Sequence, residues 1–195
     1  MAFESAIERS PARERILGAA YELFSRHGLR AVGVDRIIDE SGVARKTFYR
    51  HFPSKVDLIL AFLDLRGERW TQGWLRAEAN RLGTNPRECL LAMFELLDEW
   101  FHRRDFESCS FIATLFENRD PADRVHRAAV HQSEEVRRVV LDLAREAGTV
   151  DAESLASELH MLLMGAIVSA TRQDLDAARR ARGVAKLILD HHQLR

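Results

Sequence analysis

Apolar residues recur at intervals of three and four along almost the whole chain, and strict alternation of apolar and polar residues is nearly absent. The first spacing is typical of amphipathic helices, and the missing alternation argues against strands. The sequence therefore predicts an all-α fold of about nine helices. Their predicted ranges are 11–27, 34–41, 44–52, 55–82, 86–104, 107–118, 121–147, 152–171 and 175–192.

Prolines and glycines mark the predicted helix ends. Three prolines follow a residue that can cap a helix and are expected at first helical positions: Pro11, Pro86 and Pro121. Pro53 instead ends a helix, and Ser54 with Asp57 is expected to begin the next one as a capping box. Gly28 and Gly148 are expected to close helices, because a left-handed cap costs glycine least.

The composition is that of an ordinary soluble protein, with 46% hydrophobic and 30% charged residues in 195. No stretch approaches the roughly 18 uninterrupted apolar residues of a membrane-spanning helix, and Met1 to Arg30 does not resemble a signal peptide. These features predict a cytoplasmic protein without a membrane partner. Cys89 and Cys109 match neither a zinc site nor a redox pair and are expected to be buried free thiols.

Charge is unevenly distributed, although the formal net charge is only −1. Residues 1–55 contain ten lysines and arginines against seven acids, a net of +3. Between residues 42 and 56 there are four basic side chains, one histidine and no acid. A local basic patch on a near-neutral protein suits a small element that contacts nucleic acid.

The basic patch coincides with two short predicted helices that flank Ser41-Gly42-Val43. Gly42 can adopt the positive φ of a tight turn, and Val43 can pack between the helices. In the second helix Ala44, Phe48 and Phe52 share a narrow apolar face. The residues left on its outer surface are Arg45, Lys46, Thr47, Tyr49, Arg50 and His51.

This outer surface could enter the major groove of duplex DNA, where basic side chains read guanine edges and hydroxyl groups hold phosphates. Simpler interpretations exist for individual residues. Tyr49 could be a packed aromatic residue, and Arg50 could be a solvated charge. The segment as a whole could be a helical hairpin without a nucleic-acid role.

The run Gly42-Val43, Lys46-Thr47-Phe48-Tyr49, His51-Phe52 and Ser54-Lys55 resembles the recognition motif of the TetR family, and Ala19, Phe24 and Gly28 fit that family's first helix. The resemblance implies an N-terminal three-helix helix-turn-helix domain, residues 1–53, and a helical effector-binding and dimerisation domain, residues 54–195. It also implies DNA contacts from Thr47, Tyr49 and His51, a phosphate contact from Lys55, and base contacts near Arg45 and Lys46.

Two positions depart from the family pattern. Gly33 stands where relatives usually carry a threonine or serine at the N-cap of the second helix, so a hydroxyl that could contact phosphate is missing. Asp35 stands where many relatives carry a basic or polar DNA-contacting residue, and it would repel a phosphate. Arg36 could take over that contact or could be a solvated charge.

Aromatic and sulfur-containing residues are concentrated in the middle of the chain, where the resemblance implies an effector cavity. An apolar cavity with a few polar groups is what such a site requires. The candidate lining residues are Trp70, Trp74, Met93, Trp100, Phe111, Glu117, His126 and His160. Aromatic stripes of this kind can also form a solid core. Histidines 126, 131, 191 and 192 show no convincing zinc spacing, so neither a metal nor a cofactor is expected.

The last two predicted helices combine apolar stripes with small residues such as Gly165, Ser169 and Ala181. Small residues allow helices to approach closely. The resemblance implies that these helices pair with their copies across a two-fold axis; ordinary packing within one chain is the alternative.

Together these observations predict a dimeric transcriptional regulator, a repressor, which binds a pseudo-palindromic operator in double-stranded DNA and is released by a small-molecule effector. An enzyme is disfavoured, because the sequence contains no nucleophile elbow, phosphate-binding glycine loop, HExxH or paired-carboxylate arrangement. A helical ligand-binding or adaptor protein that does not bind DNA remains the other alternative.

Overall fold

The computed structural model describes residues 10–104, 106 and 108–193, and every regular element among them is helical. Counting the consecutive helical segments between Lys55 and Leu82 as one helix, the described residues form the nine predicted helices. They are α1 (Pro11–His27), α2 (Val34–Ser41), α3 (Arg45–His51), α4 (Lys55–Leu82), α5 (Pro86–Phe101), α6 (Ser110–Glu117), α7 (Arg124–Glu146), α8 (Ala152–Thr171) and α9 (Ala177–His191). The all-α prediction is confirmed.

The starts of α1 and α5 are capped as predicted. The Ser10 hydroxyl accepts a hydrogen bond from the backbone N–H of Arg13 (3.2 Å), and Pro11 follows it. The Asn85 side chain accepts one from the N–H of Glu88 (3.0 Å), and Pro86 follows it. A helix begins here because a side-chain acceptor satisfies an amide that has no partner within the helix.

The prediction that Pro121 begins a helix is wrong. α7 starts at Arg124, because the Asp123 carboxylate accepts hydrogen bonds from the N–H groups of Val125 (2.6 Å) and His126 (3.2 Å). Asp120 instead accepts the N–H of Ala122 (2.9 Å) and closes a local turn. Two aspartates three residues apart were both able to cap, and the second does so. The predicted start of α6 at residue 107 falls outside the described residues, and the observed start is Ser110.

The middle of α4 has a geometry that the apolar spacing did not predict. Lys55–Arg66 is α-helical, Gly67–Arg76 is π-helical, and Ala77–Leu82 is α-helical again. π-Helical turns are rare, and they are frequently found at functional sites.

Contacts divide the chain into two compact units that do not follow chain order. The first comprises the chain up to Arg66 together with Ser110–Gln132. In this unit α1 packs on α2, on α3 and on the first part of α4. Its core includes Ile16, Phe48 and Phe62, all fully buried. The N-terminal boundary of the predicted DNA-binding domain lies outside the described residues, and its end at residue 53 stays a prediction.

The second unit comprises Gly67–Cys109 and the chain from Ser133 onward. α5 is buried on nearly all sides, because its apolar residues surround the helix. α9 packs against both α5 and α8. One helix in the described part of the chain, α8, is long and apolar enough to satisfy the length and composition test for a membrane span.

Candidate nucleic-acid interface

The turn between α2 and α3 has the predicted geometry. Gly42 adopts the left-handed conformation (φ 63°, ψ 30°), and its N–H reaches the carbonyls of Ile38 and Asp39. The Ser41 hydroxyl donates to the Ile38 carbonyl (3.1 Å), and Val43 is buried between the helices. These contacts satisfy the end of α2 and fix the direction in which α3 leaves the turn.

α3 is anchored from one side by aromatic residues. Phe48 and Phe52 are buried, with 0% and 2% exposed. The prediction that Ala44 shares their buried face is wrong: Ala44 is exposed, because it is the N-cap and has an extended backbone (φ −68°, ψ 143°) outside the helical repeat. The remaining surface of α3 is available to a partner, with Arg45, Lys46, Tyr49 and Arg50 exposed and Thr47 half-buried.

Asp35 and Arg45 form an ion pair that joins α2 to α3. Both side chains are well exposed, at 73% and 61%, so the pair contributes little to stability. Its effect is on charge: the acid that departs from the family pattern is neutralised by a basic residue of α3. Arg36 lies beside it, with its guanidinium 2.9 Å from Nε2 of His27.

His51 points back toward the start of α1. Its Nε2 lies 3.2 Å from the Ser10 hydroxyl, and its Nδ1 is buried without a hydrogen-bonding partner among the described residues. Burial lowers the pKa of this imidazole, and the positive charges of Arg50 and Arg13 lower it further. Both effects favour the neutral imidazole, and the contact of His51 with Ser10 also supports the position of α3.

Lys55, at the start of α4, is tied to the loop that follows α1. Its ammonium donates to the carbonyl of Leu29 (2.6 Å). Burial lowers the pKa of the Lys55 ammonium, and the charge of Glu117 opposes that effect. The hydrogen bond with Leu29 fixes the position of the Lys55 ammonium at the junction between α3 and α4.

The same loop is held from a second side by Glu117, at the end of α6. The Glu117 carboxylate accepts the backbone N–H of Arg30 (3.1 Å), and its backbone carbonyl accepts the Arg30 guanidinium. A Cβ on Gly28 would lie 2.7 Å from the carboxylate. Sequence reasoning missed Arg30 and Leu29, because no local pattern reveals contacts between residues 87 positions apart, as for Arg30 and Glu117, or 26 positions apart, as for Leu29 and Lys55.

The predicted capping box at the start of α4 is present. The Ser54 hydroxyl accepts the N–H of Asp57 (3.2 Å) and donates to its carboxylate (2.7 Å). The hydrogen bond from Ser54, with a further one from Arg124 at 3.2 Å, lowers the pKa of Asp57. Asp57 therefore remains ionised and joins the start of α4 to the start of α7.

The predicted effector residues fall into both compact units. In the second unit the rings of Trp70, Trp74 and Trp100 lie 5.4–6.2 Å apart, and Met93 is buried. His160 lies in the same unit, with Nε2 3.5 Å from the Ser133 hydroxyl. Burial is the main cause that lowers the pKa of His160.

The other three candidates belong to the first unit. Phe111 is buried, Glu117 holds the α1–α2 loop, and Nδ1 of His126 lies 2.6 Å from the Asn118 carbonyl. The described residues contain no group of three potential metal ligands, and both cysteines are free and buried.

A cleft of about 450 Å³ lies in the second unit between the ends of α7, α8 and α9, and no predicted effector residue lines it. Four of its polar residues already bond to one another, whereas the buried hydroxyl of Thr149 has no partner among the described residues. His192 pairs with Glu158 (3.1 Å), Ser154 lies 3.3 Å from Glu158, and Asp151 caps α8 through the N–H of Ser154.

Comparison with known proteins agrees with this geometry. Residues 16–62 match the family model for bacterial regulatory proteins of the tetR family. Among curated proteins, the chain is 36% identical over 89 residues to the transcriptional activator FasR of Mycolicibacterium smegmatis and 26% identical over 90 residues to the transcriptional regulator QacR of Staphylococcus aureus. These matches cover 46% of this chain in each case, and only 40% and 48% of the two relatives.

The similarity extends over nearly the whole chain in a solved structure. The crystal structure of a TetR-family transcriptional regulator from Streptomyces coelicolor is 30% identical, with a TM-score of 0.82, and the match covers 92% of this chain and 95% of that one. The helix-turn-helix, the match in residues 16–62 and this full-length similarity lead to one conclusion. The chain belongs to the TetR family of helix-turn-helix transcriptional regulators.

Proposed function

We propose that the protein is a dimeric repressor that binds a pseudo-palindromic operator through α3 and leaves it when a small-molecule effector binds. The observation that carries the proposal is the surface of α3, which is basic and exposed and has no acidic residue in its first turn. A helix supported on buried aromatic residues can place such a surface in a major groove. In this proposal the protein works in the cytoplasm, has no cofactor and is not an enzyme.

The proposed DNA contacts divide by their chemistry. Arg45 and Lys46, at the start of α3, would read base edges, and Tyr49 would touch a thymine methyl. Thr47, Arg50, Lys55 and Arg36 would hold phosphates, which fix the position of the helix on the duplex. His51, turned toward Ser10, would mainly support α3 and contact DNA from its edge.

Dimerisation is proposed through α8 and α9, because both leave large apolar side chains in water. Met161 and Leu187 are each 69% exposed, and Val168 and Val184 are 40% and 46% exposed. Glycines 165 and 183 have open space where a Cβ would stand, so another helix could approach closely there. A second copy covering these faces also explains why α8, although long and apolar, is only partly buried in the single chain.

In a two-fold dimer the two copies of α3 face successive major grooves, about 34 Å apart. An effector releases DNA only if it binds unequally to the two arrangements of these helices. The proposed route runs through the start of α4, where Ser54 and Lys55 adjoin α3. Lys55 is tied to the α1–α2 loop, so a shift of α4 moves the loop and the cation together.

The test is in vitro selection of bound duplexes from a random pool. The proposal expects an enriched inverted repeat whose half-sites are about one helical turn, or a small multiple of it, apart. Absence of any enriched sequence would contradict DNA recognition. Tyr49→Ala and Lys55→Ala distinguish a regulator from an adaptor protein: both should weaken binding to the selected duplex, and unchanged affinity in both would support the adaptor.

A further inference from the structure

All three tryptophans of the chain lie together in the second unit. Trp70 and Trp74 belong to the π-helical part of α4, and Trp100 to α5. The ring centroids of Trp70 lie 5.6 Å from Trp74 and 5.4 Å from Trp100, and the interplanar angles are 46° and 56°. No pair in the trio is stacked face to face, so the rings present inclined faces to one another.

The aromatic cluster extends from the surface into the interior. Trp74 is half-buried, and Phe106, which is also half-buried, meets Trp100 edge to face at 4.9 Å. Trp70 and Thr71 lie deeper, with 8% and 1% of their surface exposed. A molecule that entered past Trp74 or Phe106 would therefore reach Trp70 and Thr71 last.

Two polar atoms at the deep end have no hydrogen-bonding partner among the described residues: Nε1 of Trp70 and the hydroxyl oxygen of Thr71. A buried polar group without a partner costs free energy, because it has lost its hydrogen bonds to water and gained none in return. Two such atoms on consecutive residues are therefore a costly arrangement unless a bound molecule satisfies them.

Thr71 has no partner although it lies inside a helix, in the π-helical segment of α4. A buried threonine in an α-helix commonly donates its hydroxyl to the carbonyl four residues earlier. Thr114 does so in α6, where its hydroxyl donates to the Ser110 carbonyl at 2.7 Å. Thr71 is as deeply buried as Thr114 but makes no such bond inside the π-helical segment.

We propose that this cluster binds an apolar, aromatic molecule that carries a hydrogen-bond acceptor, such as a ketone or ester carbonyl. The acceptor takes the indole N–H of Trp70, and Thr71 is the second polar contact. An acceptor is required because the indole nitrogen can only donate. The inference rests on the proposed function, because it takes the bound molecule to be the effector that releases the protein from DNA and names the chemistry of that effector.

The indole region of a ¹H–¹⁵N spectrum tests this directly, because the chain has three tryptophans and all three belong to the cluster. Two probes of nearly equal shape are compared: 2-acetylnaphthalene, which has a carbonyl, and 2-isopropylnaphthalene, which has none. The carbonyl probe should move the Trp70 indole proton downfield, as assigned from Trp→Phe variants. It should also bind about tenfold more tightly than the hydrocarbon in calorimetry.

Thr71→Val removes the unpartnered hydroxyl at nearly constant shape. It should leave stability unchanged or raise it, while it weakens binding of the carbonyl probe. Thr114→Val is the matched control: it removes a partnered hydroxyl, so it should lower stability and leave probe binding unchanged.

The inference would be overturned if the carbonyl probe did not move the Trp70 signal, which is the result expected if a trapped water holds the indole N–H. Equal affinity for the two probes would also overturn it. So would equal affinity of the carbonyl probe for wild type and for Thr71→Val. Failure of the proposed function would look different. If the Trp70 signal moves but affinity for the selected operator stays the same at fixed salt, the binding site stands and release by this ligand is wrong.

Discussion

Lys55 belongs to the proposed DNA-binding surface and is also tied to the α1–α2 loop of the first unit. Its ammonium is held by the Leu29 carbonyl, and burial lowers its pKa. An ammonium has three donors, so the contact with Leu29 leaves it able to donate to a phosphate as well. The hydrogen bond to Leu29 therefore orients the ammonium and leaves its other two donors for DNA.

Lys55→Ala should therefore lower operator affinity and reduce the slope of log affinity against log salt by about two, because each protomer of the bound dimer loses one phosphate contact. The measurement is a binding titration over a range of salt concentrations. Arg145→Ala is the control, since it removes an exposed basic side chain from the second unit. An unchanged salt slope in Lys55→Ala would show that Lys55 does not contact phosphate.

His160 should make folding depend on pH. Burial lowers its pKa below the ordinary value of 6.5, so the unfolded chain binds a proton more readily than the folded chain does. The contribution of His160 to stability is therefore complete above about pH 6.5 and is lost as the pH falls below that value. Glu134 opposes the shift and Arg137 adds to it.

Denaturation of wild type and His160→Gln from pH 7.5 down to pH 5 tests this expectation. The free energy of unfolding should fall less steeply in the variant than in wild type. An NMR titration of His160 in the folded protein should give a midpoint below 6.5. Parallel pH dependence in the two proteins would exclude His160 as the source.

Among the elements, the ends of α1 and α2 show why glycine is required at two positions for different reasons. Gly42 has φ 63° and ψ 30°, with open space around its missing Cβ. Gly28 has φ 77° and ψ 167°, a region used almost only by glycine, and a Cβ there would meet Glu117. Gly28 therefore carries both a backbone and a steric requirement.

Gly42→Ala should cost about 1–2 kcal/mol of stability, the usual penalty of a left-handed residue, and Gly28→Ala should cost more. Part of the extra cost should disappear when Glu117 is also replaced by alanine, because the clashing carboxylate is gone. Chemical denaturation of the two single variants, Glu117→Ala and the double variant gives this coupling. Additive effects would mean that Glu117 moves aside freely.

Local sequence patterns predicted where helices begin and end, but they predicted few of the contacts between distant helices. The capping residues Ser10, Asn85 and Ser54 act through neighbours three positions away, so the sequence displays them. Asp120 and Asp123 compete over a similar span, and propensity alone could not rank them. The π-helical segment of α4 has ordinary apolar spacing, so nothing in the sequence distinguished it from α-helix.

For the candidate DNA-binding site too, the sequence predicted the local features but not the contacts between helices. The exposed surface of α3 follows from helical periodicity around Phe48 and Phe52. The ion pair between Asp35 and Arg45, and the hold of Glu117 on Arg30, depend on how separate helices meet. Such contacts are set by tertiary packing, which no short window of sequence contains.

For the whole molecule, the exposed apolar faces of α8 and α9 determine the proposed assembly. Leu187→Asp would place a charge on a surface that a second copy should cover, and burying an unpaired charge is strongly unfavourable. The variant should be monomeric by light scattering and should lose most of its operator affinity, because two linked half-sites become one. Leu82→Asp is the control, since Leu82 is also exposed, at 40%, but lies in α4.

A monomeric wild-type protein, or a Leu187→Asp protein that stays dimeric, would contradict pairing through these helices. Circular dichroism of both aspartate variants distinguishes loss of the dimer from loss of the fold.

The ion pair between Asp35 and Arg45 has a consequence for how the regulator would search a chromosome. The negative charge of Asp35 lies beside Arg45 and repels phosphates, so it weakens the attraction of Arg45 to the backbone of arbitrary DNA. A guanine edge, which offers two acceptors in fixed geometry, competes better with that carboxylate. Asp35 would thus shorten the time that the protein spends bound to other sequences more than the time it spends bound to the operator. Although Asp35 weakens the overall attraction to DNA, it would increase the discrimination between operator and other sites.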